Sequence, residues 1–243
     1  MLAKRIIPTL LYRGHALVKG CRFESWRSVG HALQAARIHA ARGVDELVML
    51  DIGATPSRTE PNYALIEALT ADAFTPIAVG GGITKLSQIK RLLSAGADKI
   101  VIGSSLAALT EAADTVGCQA VVAAIDYDVT GQVWRQCGLE ATGMDVVAMA
   151  RLAEGAGAGE IMLTCINREG GMDGYDLETL KRVVDSVSIP VIAHGGCGTY
   201  EHMHQAIQAG ADAVAAGALF QFTDQTPRGA AEYLAAQGVE VRV

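Results

Sequence analysis

Four polar side chains stand where an apolar run stops: Asp51 after Val48-Met49-Leu50, Asp126 after Ala123-Ala124-Ile125, Thr164 after Ile161-Met162-Leu163 and His194 after Val191-Ile192-Ala193. A carboxylate at the carboxyl end of a buried strand faces the open edge of the sheet, so Asp51 and Asp126 read as general acid/base candidates. The plainer reading of each is a helix cap or a salt bridge to a loop lysine such as Lys19. Thr164 suits a bond to a substrate hydroxyl, whereas a lone His194 beside Gly195-Gly196 is more often a pocket wall than an acid or base. The catalytic candidates are therefore Asp126, Asp51, Thr164 and Lys19.

Paired glycines supply a second chemistry. Gly81-Gly82 and Gly195-Gly196 each follow an apolar run, and Gly103-Ser104 and Gly217-Ala218 come about 20 residues after them. Glycines in such places let backbone N–H groups close on an anion with no side chain in the way, which is how phosphate is bound. One expected site combines Gly81, Gly82, Gly103 and Ser104; the other combines Gly170, Gly195, Gly196, Gly217 and Ala218, with a helix amino terminus behind the last loop. The alternative is that these glycines only make tight strand-to-helix turns.

These residues need a scaffold that brings many strand ends to one place. Short apolar runs recur at roughly 5–10, 46–51, 76–80, 98–102, 119–126, 160–164, 190–194 and 212–216, separated by segments of helical period. Eight strands alternating with helices predict a single (β/α)8 TIM barrel over residues 1–243, of the usual length of about 250 residues. Residues at about 131–140, around Trp134, fit neither pattern and read as a small hairpin inserted after the fifth strand, on the active-site face. A long internal repeat cuts across this order. Pro76 maps to Pro190 and Gly103 to Gly217 at one constant offset (190 − 76 = 114), as do Ala95-Gly96-Ala97-Asp98 and Ala209-Gly210-Ala211-Asp212. Such a period is too long for a solenoid and predicts two half-barrels, about 1–117 and 118–243, with one anion site in each. Two sites across one mouth imply a substrate carrying two phosphates.

At the other ends of the strands Arg5, Glu46, Lys99 and Glu160 alternate in sign around the ring. Barrel logic assigns that face to stability, so the first reading is a salt-bridged plug; the second is a gate to the barrel interior. Composition narrows the field further. Half of the residues are hydrophobic, the formal net charge is −6 and no Lys/Arg cluster appears, so neither nucleic acid nor an anionic membrane is an expected partner. The five cysteines and six histidines show no CxxC or HExxH spacing; no metal, cofactor or disulfide framework is expected, and the home is expected to be cytoplasmic.

With these residues in place the chain resembles the cyclase subunit family of imidazole glycerol phosphate synthase, from histidine biosynthesis. The likeness runs end to end. It rests on Met1-Leu2-Ala3-Lys4-Arg5-Ile6-Ile7-Pro8, Leu17-Val18-Lys19-Gly20, Asp45-Glu46-Leu47-Val48-Met49-Leu50-Asp51-Ile52, Val79-Gly80-Gly81-Gly82-Ile83, Ala97-Asp98-Lys99, Ala123-Ala124-Ile125-Asp126, Gly159-Glu160-Ile161-Met162-Leu163-Thr164, Gly174-Tyr175-Asp176 and Gly195-Gly196-Cys197-Gly198. The resemblance implies a class I glutaminase partner whose ammonia enters past a ring of four charges, matched here by Arg5, Glu46, Lys99 and Glu160. Asp98 and Gln119 match positions that face the glutaminase.

One departure is chemical. The family ends its first strand in an aspartate that shares the acid/base work of ring closure with the aspartate of the fifth strand, and this chain has Leu11 there. Asn167-Arg168-Glu169-Gly170-Gly171 replaces the family's Asp-Arg-Asp-Gly-Thr, Gly103-Ser104 its Asn-Thr or Asn-Ser, and His194 its serine. A changed mouth over an unchanged ring resembles cyclase-like paralogues of surface-polysaccharide synthesis, thought to supply ammonia for amidating a sugar. Leu11 favours that expectation over a working cyclase, and the retained Asp126 and phosphate loops weigh against a non-catalytic barrel that only binds and activates the glutaminase.

Overall fold

A computed structural model of the chain describes residues 3–71, 75–103 and 105–243. The chain opens with β1 (Arg5–Arg13), which turns back into the antiparallel pair β2 (Ala16–Cys21) and β3 (Glu24–His31) before α1 (Ala32–Ala41). Then come β4 (Leu47–Asp51), α2 (Ala54–Ser57), α3 (Tyr63–Thr70), β5 (Ile77–Gly80), α4 (Leu86–Ser94), β6 (Lys99–Ile102) and α5 (Leu106–Val116). A single 3-10 turn over Cys118–Ala120 leads into β7 (Val121–Tyr127). A second antiparallel pair follows, β8 (Gln132–Arg135) and β9 (Glu140–Asp145), and then α6 (Val146–Gly155), β10 (Glu160–Cys165), α7 (Leu177–Val184), β11 (Val191–His194), α8 (Tyr200–Gln208), β12 (Ala213–Ala216), α9 (Ala218–Phe222) and α10 (Pro227–Ala236).

Among the described residues, β1, β4, β5, β6, β7, β10, β11 and β12 pair parallel in that order and β12 returns to β1, which closes a (β/α)8 TIM barrel. Its interior is a packed layer, with Ile7, Val48, Ala78, Val101, Val122, Met162, Ile192, Ala213 and Ala215 filling the centre. A larger apolar shell joins the outer strand faces to the helices. No helix among the described residues is long and apolar enough to cross a membrane.

The 114-residue offset holds at the level of single atoms. β5 and α4 coincide with β11 and α8 when shifted, and β6 with β12. The Asp98 carboxylate accepts the Ile77 N–H at 2.8 Å, and its counterpart Asp212 accepts the Val191 N–H at 3.1 Å. Thr84 N–H donates to the Gln88 side chain as Gly198 N–H donates to His202.

The β2–β3 hairpin has no counterpart in the sequence reading. Its two turn residues, Arg22 and Phe23, both have positive φ (55° and 61°), the requirement of a type I′ turn that Asn-Gly usually announces. A bulky pair in this conformation is strained and gives no sequence signal. β3 is also largely exposed, so the alternation of a half-buried strand is missing too.

Candidate active site at the barrel mouth

The carboxyl ends of the strands open into a cavity whose walls include Leu11, Asp51, Gly81, Gly103, Asp126, Thr164 and His194. The two hairpins roof it. Phe23 and Trp26 come from the first, Arg135, Gln136 and Cys137 from the second, and a β-carbon on Gly138 would lie 3.0 Å from the Phe23 ring.

Asp126, Thr164 and His194 sit side by side, in register on β7, β10 and β11. Thr164 Oγ1 lies 3.1 Å from His194 Nδ1 and, next to Asp126 in the register, favours the charged form of its carboxyl. Burial pushes Asp126 up to about 7, Thr164 pulling the other way and Glu169 adding to the rise. His194 is pushed down to about 3, first by burial and then by the Lys19 charge, so it is a neutral imidazole at ordinary pH.

Asp51 faces the same cavity, and its Oδ1 also accepts the N–H groups of Gly53 (2.9 Å) and Ala54 (3.1 Å) at the start of α2. Asp51 thus ties down the turn into α2, whose cap is Gly53, while facing the cavity. Burial raises its pKa, against those two N–H groups and Arg13. No salt bridge joins Asp51 to Lys19. Leu11, only 3 % exposed, packs with Val18 and Ile52 in a small apolar cluster of the mouth, bordered by Trp26 and Cys137. Burial, Asp126 and Asp51 together push the Cys137 thiol up to about 12.

The two glycine sets differ. At the first, Gly81 and Gly103 line the cavity, while the Gly82 N–H is already donated to Thr55 Oγ1 at 3.0 Å; Ser104 lies outside the described residues. At the second, a β-carbon on Gly217 would overlap the Lys19 ammonium, and one on Gly196 would overlap the Gly174 carbonyl. The amide end of α9 begins at Ala218, with Gly217 as its cap. Gly170 is pressed against the Gly20 carbonyl, so the first hairpin covers this set. The hairpin itself carries Lys19, 2 % exposed, and covers Glu169, 3 % exposed with Oε2 unpartnered. Burial lowers Lys19 and raises Glu169, and each charge opposes the shift of the other. Lys19 thus stands at the second glycine set rather than beside Asp126. Nothing in the residue order signalled that contact, which the unforeseen hairpin creates.

At the far end the four charges close a ring: Arg5–Glu46 2.6 Å, Arg5–Glu160 3.0 Å, Lys99–Glu46 2.9 Å and Lys99–Glu160 3.1 Å. Burial works against the Arg5 charge, but Glu160 and Glu46 outweigh it and hold the guanidinium above its ordinary value. Asp98 and Gln119 are exposed on this same face, just ahead of β6 and β7.

A closed (β/α)8 barrel with a charged ring at one end and glycine loops with strand-end carboxyls at the other narrows the family, and residues 5–226 match the family model described as histidine biosynthesis protein. The chain belongs to that family. Over 249 aligned residues, covering the whole of both chains, it is 39% identical to imidazole glycerol phosphate synthase subunit HisF of Exiguobacterium sibiricum. Family membership explains why the mouth and the ring occur on one barrel; the roles of the individual side chains rest on their geometry.

Proposed function

We propose that this chain is the ammonia-using synthase subunit of a glutamine amidotransferase complex, with a mouth chemistry that has moved from imidazole glycerol phosphate ring closure toward amidation of a phosphorylated sugar. A class I glutaminase docks at the ring face near Asp98 and Gln119. Its ammonia passes Arg5, Glu46, Lys99 and Glu160 and crosses the apolar interior to the mouth. There Asp126 moves protons, Asp51 and Thr164 hold substrate hydroxyls, and Lys19 with the glycine loops of the two half-barrels holds phosphate. The observation that carries the reading is Leu11: it is buried in an apolar cluster at the strand end where ring closure needs a second carboxyl. Loss of one member of an acid/base pair typically costs about 10²–10⁴-fold.

The test is turnover of the synthase subunit's substrate with ammonium salts. No detectable ring closure is expected, and a rate in the usual enzyme range of about 1–10³ s⁻¹ overturns the reading. A working cyclase is the second reading. Asp51 favours it, since its carboxyl faces the same cavity as Asp126 with a pKa that burial raises.

A further inference from the structure

The mouth contains a buried imidazole for which the reading above has no use. His194 lies in register with Thr164, and Thr164 in register with Asp126, so the three side chains stand abreast on β11, β10 and β7. Thr164 Oγ1 lies 3.1 Å from His194 Nδ1, and on its other side the register sets it next to the Asp126 carboxylate, whose charged form it favours. A hydroxyl has one proton to donate, so it cannot donate to both at once. When Asp126 is a carboxylate, the hydroxyl donates to it, and His194 must then donate from Nδ1, leaving Nε2 as an acceptor. When Asp126 is protonated, the carboxyl donates to Thr164, the hydroxyl donates to Nδ1, and the ring proton resides on Nε2.

We propose that Thr164 and His194 form a proton relay between the imidazole Nε2 and the Asp126 carboxyl, giving the mouth the second point of proton exchange that Leu11 does not provide. In the forward direction a proton binds Nε2, the Nδ1 proton passes to Thr164 Oγ1, and the hydroxyl proton passes to Asp126. One proton enters and one carboxylate is neutralised; the imidazole is neutral before and after, and no co-reactant is needed. The reverse sequence returns the proton to Nε2. The relay rests on the proposed role of Asp126 as the proton-moving group of the mouth. His194 acts through Thr164, so it is a positioning residue for that proton.

The surroundings suit this arrangement. Burial keeps the imidazole neutral, while Asp126 titrates near 7. The charged and titratable groups around the pair are Lys19 from the first hairpin, Glu169 from the loop after β10, Asp51 from the end of β4, and Arg135 and Cys137 from the second hairpin. Lys19 opposes any positive charge on His194.

The experiment is nitrogen NMR of the imidazole rings in the full chain, followed from pH 5 to 9. It needs no substrate, so failure of the relay and failure of the proposed function are read separately. His194 is expected to stay neutral and to exchange donor and acceptor nitrogens, with a midpoint that matches the titration of the Asp126 carboxyl. Thr164→Val and Asp126→Asn should each freeze the tautomer across that range. Thr164→Ser keeps the hydroxyl and should keep the exchange, which separates loss of the relay from loss of packing. A fixed tautomer in the unaltered protein, a cationic His194, or an exchange that survives Thr164→Val overturns the proposal.

Discussion

At the amino ends of the strands, four side chains of opposite charge satisfy one another, each lysine or arginine touching both glutamates. At the carboxyl ends, Asp126, Asp51 and Glu169 are gathered under two hairpins with their pKa values raised by burial, and the Lys19 ammonium lies at Gly217. In the ring every charge is paired with two of the opposite sign, whereas in the mouth burial works against the charge of each of these groups. In the proposed function the mouth diverges while the ring is kept. That reading makes Leu11 the divergence, and the comparison is best broken by reversing it. Leu11→Asp puts a carboxyl back opposite Asp126 and should raise ammonium-dependent ring closure by about 10²–10⁴-fold over the unaltered chain. Because it buries a charge among Val18 and Ile52, it should also lower thermal stability. No gain in rate in a folded variant would mean that the mouth has lost more than one proton donor.

Asp126→Asn tests the other half of the contrast through stability. The folded carboxyl titrates near 7, against 3.8 for the free group. The native state therefore binds this proton more tightly than the unfolded chain, and stability falls as pH rises from about 4 to about 7. Replacement by Asn removes that penalty, so the variant should gain about 1–4 kcal/mol over the unaltered protein at pH 8 and little at pH 4. Denaturant titrations at the two pH values measure it. An equal effect at both would show that the carboxyl is not held protonated by its surroundings.

The barrel was legible in the sequence because parallel strands buried on both faces read as continuous apolar runs, and all eight were placed near their observed positions. The hairpin around Trp134 was legible for the opposite reason, a stretch that breaks the alternation. The β2–β3 hairpin was not, because Arg22 and Phe23 adopt left-handed conformations that their types disfavour. Two features of the site followed from that omission. Lys19 reaches Gly217 because β2 carries it there, and the Gly170 loop is covered because Gly20 packs on it. The ring charges could be listed by strand, but the sharing of each cation between two glutamates depends on three-dimensional closure.

Lys99→Ala sharpens the contrast from the ring side. Removing the ammonium leaves Glu46 and Glu160 with Arg5 alone, and with the ring only partly exposed the loss should be about 1–3 kcal/mol. If the ring serves passage, the variant should fold, hydrolyse glutamine in complex with a glutaminase and release glutamate without matching product. Glutamate and product, followed together in one reaction, give the ratio. A coupling ratio equal to that of the unaltered protein would return the ring to a purely structural role.

The smallest effect is expected from Arg5→Lys, which separates charge from shape within the ring. Arg5 reaches Glu46 through Nη1 and Glu160 through both Nη1 and Nη2, so a planar fork spans the two carboxylates. A lysine keeps the positive charge but offers one ammonium, which cannot reproduce that geometry. Stability should fall by about 1 kcal/mol or less, in line with partly exposed ion pairs. Coupling of glutamine hydrolysis to product should stay close to that of the unaltered protein, because the alternation of sign is intact. A large loss of coupling with unchanged stability would mean that the fork itself, rather than the charge, sets the opening through which ammonia passes, and would bring the ring closer to the mouth in its demand for exact side-chain shape.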